Sequence, residues 1–241
     1  GREIRKYLPY ASATEANGSF KLDPFEEQKE FYQGSASPIA GQGETFYYAK
    51  TDYEASPLSR VTASFAPGNS WVGNTADPVK RSVKEGYFVN TATDAVRMWT
   101  VTGSGTVGAF GSYSSPSGAV YPEGALYKTI TTDENGKEVI EFKDKQGEVI
   151  LKKVQMTATA DDGTGSGHTG WLCTYYIYDD LGNLRCVVQP RGVELISSTW
   201  ALSDATILGQ QCFRYEYDQR QRMIVKKVPG AGAVSMVYDA R

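Results

Sequence analysis

His168 is the single histidine in the chain, so imidazole-based acid–base or nucleophile-activating chemistry has one place to reside. It sits in a glycine run, residues 165–170 (GSGHTG), with no second histidine beside it. Ser–His–carboxylate triads assemble in space rather than in sequence, but no G-x-S-x-G elbow marks a nucleophile. A histidine on a loop surface is the expectation. Zinc usually draws several Cys and His together, so a metal site is not expected, nor any other cofactor. The cysteines are Cys173, Cys186 and Cys212, an odd number at irregular spacing and no disulfide framework. Cys173 and Cys186 flank one turn, so a cross-strand bridge is conceivable; three buried thiols packed as small hydrophobes is the commoner outcome.

Oxygen ligands and glycine loops give equally thin signals. Asp161-Asp162-Gly163 and Asp133-Glu134-Asn135 could offer oxygens to calcium, but neither has the spaced ligands and terminal Glu of an EF-hand loop. Both read as solvated turns. Residues 103–108 (GSGTVG) and 165–170 each fit G-x-G-x-x-G. A dinucleotide site needs that loop to run from a strand into a helix whose N-terminus meets the pyrophosphate. The first leads into more Gly and Ser and the second into a strand, so both read as loops. Carboxylate pairs for glycoside hydrolysis are numerous but cannot be placed from sequence. A net charge of −3 gives no reason to expect nucleic acid or an anionic membrane surface. No apolar run approaches the roughly 20 residues that span a bilayer, and no signal peptide is visible.

The elements that would position any such site are strands. Residues 171–189 (WLCTYYIYDDLGNLRCVVQ) read as two strands around one turn. Trp171, Cys173, Tyr175 and Ile177 fall on one face, Leu172, Thr174, Tyr176 and Tyr178 on the other. Both faces carry large side chains, so both are expected to be covered. The phrase returns: residues 213–218 (FRYEYD) enter a turn at 219–221 and leave through Met223-Ile224-Val225. Gln221 stands there in the place of Gly182, which suggests a different turn geometry. Val237-Tyr238-Asp239-Ala240-Arg241 begins a third copy, and residues 142–149 (FKDKQGEV) form a degenerate earlier one without the Tyr. The shared skeleton is Tyr-Asp-x-x-Gly-x-Leu: Tyr178, Asp179, Gly182 and Leu184, then Tyr217 and Asp218, then Tyr238 and Asp239. Asp can accept backbone N–H bonds across the turn, Gly allows a positive φ, and Tyr offers a broad ring with a polar tip. Units of this kind bury a face only against their neighbours.

At these residues the chain resembles the tyrosine–aspartate repeats of the Rhs family, to which the teneurins are related. Residues 5–10 (RKYLPY), 53–61 (YEASPLSRV), 66–71 (APGNSW) and 87–101 (YFVNTATDAVRMWTV) are similar to the N-terminal region of Rhs-like proteins from Bacteroidetes. The resemblance implies a long sheet coiled into a hollow shell, which in bacterial members can enclose a C-terminal toxin. That family's shell ends in a core with aspartic autoprotease function. No stretch here matches it, so no cleavage residues are carried over.

In chain order, residues 1–10 read as a short strand. Asp23-Pro24-Phe25-Glu26 starts a helix running to about Gln33, with Asp23 as cap, Pro24 at the first helical position and Glu26 able to reach back to the cap amide. Residues 35–43 are loop, 44–53 and 60–65 strands, 67–69 a turn, and 71–78 irregular. Strands follow at 87–90 and 96–102. Residues 103–118, rich in Gly and Ser, are the best internal boundary. A meander of 126–132, 137–143 and 148–159 comes next, with Asn135-Gly136 the strongest local hairpin signal. Residues 161–170 form a second flexible loop. Val193, Ile196 and Trp200 have helical spacing, so one inserted helix is expected within 192–208. The last strands are 211–217, 223–228 and 233–238.

The expected fold is mainly β: antiparallel hairpins and meanders in a curved Tyr-Asp-repeat sheet, with one or two short helices. A β-rich region spans 1–110 and the repeat region 119–241, the latter broken off mid-repeat, as in a piece excised from a longer protein. Gly1 is then a cloning scar or the turn glycine of an earlier repeat. The functional expectation is a non-enzymatic structural segment of a cell-surface or secreted protein. Its partners are downstream repeats of the same polypeptide and an enclosed toxin segment, with no nucleic acid and no membrane span. The alternatives are a carbohydrate-binding adhesin domain, its tyrosines stacking on a glycan, and a hydrolase using His168 or paired carboxylates.

Overall fold

The computed structural model describes residues 2–12, 18–37, 42–73, 81–116 and 118–239. Expectations for Gly1, for 38–41 and 74–78, and for Ala240 and Arg241 lie outside the described residues. The chain is mainly β, with antiparallel strands joined as hairpins and meanders, and the described residues hold three short α-helices where one or two were expected. It divides into two units, Gly1–Glu85 with Thr131–Gly136, and Gly86–Ile130 with Lys137–Arg241. Among the described residues, no helix is long and apolar enough to cross a membrane.

In the first unit, β1 (Arg5–Tyr7) pairs with β2 (Tyr48–Tyr53), β2 with β3 (Val61–Phe65), and β3 with the start of β4 (Val83–Val89). Helix α1 (Pro24–Gln33) begins where its sequence signals place it: Pro24 opens it, and Asp23 Oδ1 accepts from the Glu26 amide at 3.3 Å. The Glu26 carboxylate turns to Lys29 instead, at 3.2 Å. The helix is held by aromatic and backbone contacts. Tyr7 packs on Phe25, Tyr32 stacks on Tyr47 with centroids 5.0 Å apart, and Tyr32 Oη donates to Pro9 O.

The second unit holds the end of β4 and then two short strands, β5 (Thr100–Thr102) and β6 (Ser112–Ser114). The meander then runs through β7 (Tyr127–Thr132), β8 (Glu138–Lys143), β9 (Val149–Gln155), β10 (Trp171–Tyr178) and β11 (Leu184–Val188). Helix α2 (Pro190–Ile196), strand β12 (Ala201–Leu202) and helix α3 (Ala205–Gln210) follow. The chain then returns to the sheet beside β11 as β13 (Cys212–Tyr217), β14 (Met223–Lys227) and β15 (Ala233–Ser235).

Period-two alternation decides which face is core. Trp171, Cys173, Tyr175 and Ile177 of β10 are buried together with Ile140, Phe142, Leu151, Cys186, Val188 and Cys212. Val193 and Ile196 of α2 and Tyr113 of β6 complete this cluster. Full burial of each aliphatic or Phe side chain contributes about 1.5–3 kcal/mol. The opposite face of β10 is only partly covered: Leu172 remains 41% exposed, and Thr174, Tyr176 and Tyr178 are half-buried.

One expectation is corrected by local geometry. The single helix expected within 192–208 is two short helices separated by β12. Trp200, which shares the helical spacing, lies past the end of α2 in the left-handed region (φ 53°), and Asp204 caps a new helix through the amides of Thr206 and Ile207. The Gly/Ser-rich stretch 103–118 contains β6, which pairs with both β5 and β12 and buries Tyr113. Gly111 is required there: its φ is +72°, and a Cβ would lie 2.2 Å from Thr102 O.

Candidate functional site

The repeat residues build one turn three times. In the first, Asp179 Oδ1 accepts from the amides of Leu181 (3.1 Å) and Asn183 (3.0 Å), and the Gly182 amide donates to Asp179 O at 2.9 Å. In the second, Asp218 Oδ1 accepts from Arg220 (2.8 Å) and Arg222 (2.9 Å), with the Gln221 amide 2.9 Å from Asp218 O. In the degenerate copy, Asp144 Oδ1 accepts from Gln146 (3.0 Å) and Glu148 (2.9 Å), and the Gly147 amide lies 3.2 Å from Asp144 O. Each hairpin carries a register shift at the same place, before the pairs Lys143↔Val149, Tyr178↔Leu184 and Tyr217↔Met223. Gln221 does not change the turn. It takes the left-handed backbone of its glycine counterparts, φ +59° against +88° at Gly147 and +76° at Gly182.

The tyrosines tie successive hairpins together. Tyr217 Oη donates to Leu184 O at 3.1 Å, and Tyr238 Oη donates to Met223 O at 2.8 Å. Leu184 and Met223 occupy the same repeat position, so each tyrosine satisfies a carbonyl on the return strand of the hairpin before it. Arginines missed by the sequence reading extend this link. Arg185 bridges the Asp179 carboxylate and Tyr215 O, while Arg222 holds the Asp218 carboxylate and lies 4.5 Å from the Tyr238 ring centroid. The available signal was a cation on the return strand within reach of the turn Asp. Hydrogen bonds from the Arg222 backbone keep the Asp218 carboxyl below its ordinary range. Burial pushes the Tyr178 phenol up to about 12. Tyr178 and Asp179 also line a cleft of about 160 Å³ with Trp99, Tyr121, Asp144 and Glu148.

His168 is not a surface histidine. It is half-buried, its Nε2 lies 2.8 Å from Tyr175 Oη, and its ring meets Trp200 edge-on at 4.9 Å. Burial, with Lys153 and Arg97 nearby, lowers its pKa to about 4, so it is neutral near pH 7. Cys173, Cys186 and Cys212 are free and buried. Cys186 sits opposite Ile177 and Cys173 opposite Lys153, so the Cys173–Cys186 bridge is out of register. Burial raises the Cys173 thiol to about 11, which suits a packed thiol rather than a nucleophile.

The loop read as solvated and flexible, residues 161–170, instead closes over a buried charge cluster. Lys128 Nζ donates to Asp161 Oδ2 (2.7 Å) and Asp94 Oδ1 (3.0 Å), with all three side chains fully buried. Asp161 Oδ1 accepts from the amides of Gly163 and Gly165, and Asp161 N donates to Glu138 Oε2. Ser166 Oγ donates to Asp161 Oδ2 and accepts from Lys153 Nζ. Lys128 and Lys153 both lie against the Phe142 ring, with Nζ 5.6 and 5.8 Å from its centroid. Burial lowers the Lys153 pKa to about 8. For Asp161 burial acts upward, but hydrogen bonds from Lys128, Ser166 and Gly163 outweigh it and lower its pKa. The cluster cannot be read from the sequence, because its members come from five separated segments.

Residues 1–84 match the family model of a domain of unknown function, DUF6443. The match ends one residue before the first unit's long segment does. No curated protein matches the chain.

Proposed function

We propose that this chain is a non-enzymatic structural segment of an Rhs-type Tyr-Asp-repeat protein, at the cell surface or secreted. Its hairpins contribute to a β-shell that encloses a C-terminal toxin segment, and its partners are downstream repeats of the same polypeptide. The observation that supports this reading is the repeated tyrosine link, Tyr217 to Leu184 O and Tyr238 to Met223 O, across turns of one geometry. A link that repeats from hairpin to hairpin is what an extensible array requires, because each unit is stabilised by its neighbour. The test appends one and then two consensus Tyr-Asp-x-x-Gly-x-Leu hairpins after Arg241. Stepwise gains in urea midpoint, with hydrogen-exchange protection spreading into the added strands, are expected. Added hairpins that exchange freely would refute the array. For enclosure, limited proteolysis of the full-length gene product is expected to cut outer loops while sparing the C-terminal segment.

A second reading, glycan binding by an adhesin domain, draws on the cleft that sets Trp99, Tyr121, Tyr176 and Tyr178 beside Asp144, Glu148 and Asp179. Tyrosine hydroxyls and carboxylates gathered around one cleft can hydrogen-bond the hydroxyls of a sugar. A glycan screen followed by calorimetry decides it: a specific hit lost in Tyr178→Ala would favour this reading over the shell.

A further inference from the structure

We propose that Lys128 and Asp161 condense into an intramolecular isopeptide bond. Three features of the cluster point to this chemistry. The reacting groups are in contact, Nζ to Oδ2 at 2.7 Å, in a fully buried site against the Phe142 ring. A second carboxylate, Asp94, lies 3.0 Å from the same Nζ. The other Asp161 oxygen, Oδ1, faces the backbone amides of Gly163 (2.9 Å) and Gly165 (3.3 Å).

In water this condensation fails, because amine and acid are both ionised and water drives hydrolysis. Burial changes both conditions. It penalises each charge, so proton exchange within the pair gives a neutral amine and a neutral acid without charging the core. Holding the partners in contact replaces a bimolecular encounter with an effective concentration of about 10⁵ M or more. The ionised pair is the resting state, given the hydrogen bonds that hold the Asp161 carboxylate, so the bond forms slowly, once, after folding.

The step balances without an outside reagent. Lys128 Nζ passes one proton to Asp161 Oδ2, and its lone pair then attacks Cγ. The N–C bond forms as negative charge gathers on Oδ1, where the two glycine amides meet it. A second Nζ proton passes to Asp94 Oδ1 and is returned to the departing Oδ2 hydroxyl. The C–O bond breaks, one water leaves, and Nζ keeps one hydrogen as an amide. Before the step the core holds Lys128 and Lys153 against Asp94, Asp161 and Glu138; afterwards it holds one buried ion pair fewer.

The experiment is intact mass under denaturing conditions on the full chain, followed by tryptic mapping. The expected result is a mass lower than the sequence mass by one water, and a branched peptide joining the segments around Lys128 and Asp161 with Lys128 uncut by trypsin. An unchanged mass would overturn the proposal. So would a water loss mapped to a linear peptide at Asp162-Gly163, which marks a succinimide. In Asp94→Asn, refolded from denaturant and followed by mass over time, the bond is expected to form about 100-fold more slowly or worse. An unchanged rate there would remove Asp94 as the proton carrier. Should that variant not fold, the mass of the unaltered chain still decides the bond.

Discussion

Gln221 occupies a backbone position that suits glycine, which makes its replacement a direct test of the shared turn. A non-glycine residue in the left-handed region carries a cost of about 1–2 kcal/mol from the approach of Cβ to the following carbonyl. Glycine gives back about 0.5–1 kcal/mol through the greater freedom of its unfolded chain. Gln221→Gly should therefore stabilise the β13–β14 hairpin by about 0.5–1 kcal/mol. Gly147→Gln is the mirror experiment. Its φ is +88° and an added Cβ meets nothing within 4 Å, so it isolates the backbone cost and should destabilise by a similar amount. Gly182→Gln should cost about the same, because the one atom its Cβ would crowd, Glu148 Oε1 at 2.9 Å, is the end of a flexible side chain that can swing aside. Hydrogen exchange at the turn-closing amides of Asp218 and Gln221 reads the hairpin directly, because exchange reports local as well as global opening. Protection is expected to rise about 2- to 5-fold in Gln221→Gly, matching the free energy above. Unchanged protection in Gln221→Gly together with an unaffected Gly147→Gln would refute the argument that these turns share one left-handed constraint.

Glu216 of β13 accepts from the amides of Gly108 (2.6 Å) and Phe110 (2.5 Å), so Glu216→Ala should cost about 2–4 kcal/mol in urea denaturation; a cost below about 1 kcal/mol would mean that the 108–110 segment is held by other contacts. His168 is depressed to about 4 from an ordinary 6.5, so the unfolded chain takes up its proton first as pH falls. Its contribution to stability is complete above about pH 6.5 and declines toward pH 4, by at most about 3 kcal/mol. His168→Phe should flatten that part of a stability–pH curve, and an identical slope would place the titration elsewhere. Strand β15 is three residues long, pairs among the described residues with β14 alone and leaves Val234 60% exposed, and an edge of this kind invites pairing. Sedimentation at high concentration should show self-association that Val234→Lys weakens; a strictly monomeric chain would count against it.

The sequence by itself determined the elements whose causes are local. Asp23-Pro24 set the start of α1, because capping and a preset φ act within one turn of chain. Alternation along residues 171–178 set which side chains of β10 enter the core, because a strand can turn only one face inward. The Tyr-Asp-x-x-Gly skeleton set the turns, because Asp reaches amides two and four residues on. Tertiary structure decided whatever depended on distant partners. Gly/Ser content around β6 gave no hint of a strand, since its pairing with β5 and β12 is fixed by packing around Tyr113. His168 reads as a loop residue until Tyr175 and Trp200 close around it. Lys128, Asp94, Asp161 and Lys153 look like ordinary surface charges one by one. Only folding brings them together, and burial then makes their pairing obligatory, because an unpaired charge in the core is far costlier than an unpaired charge in water.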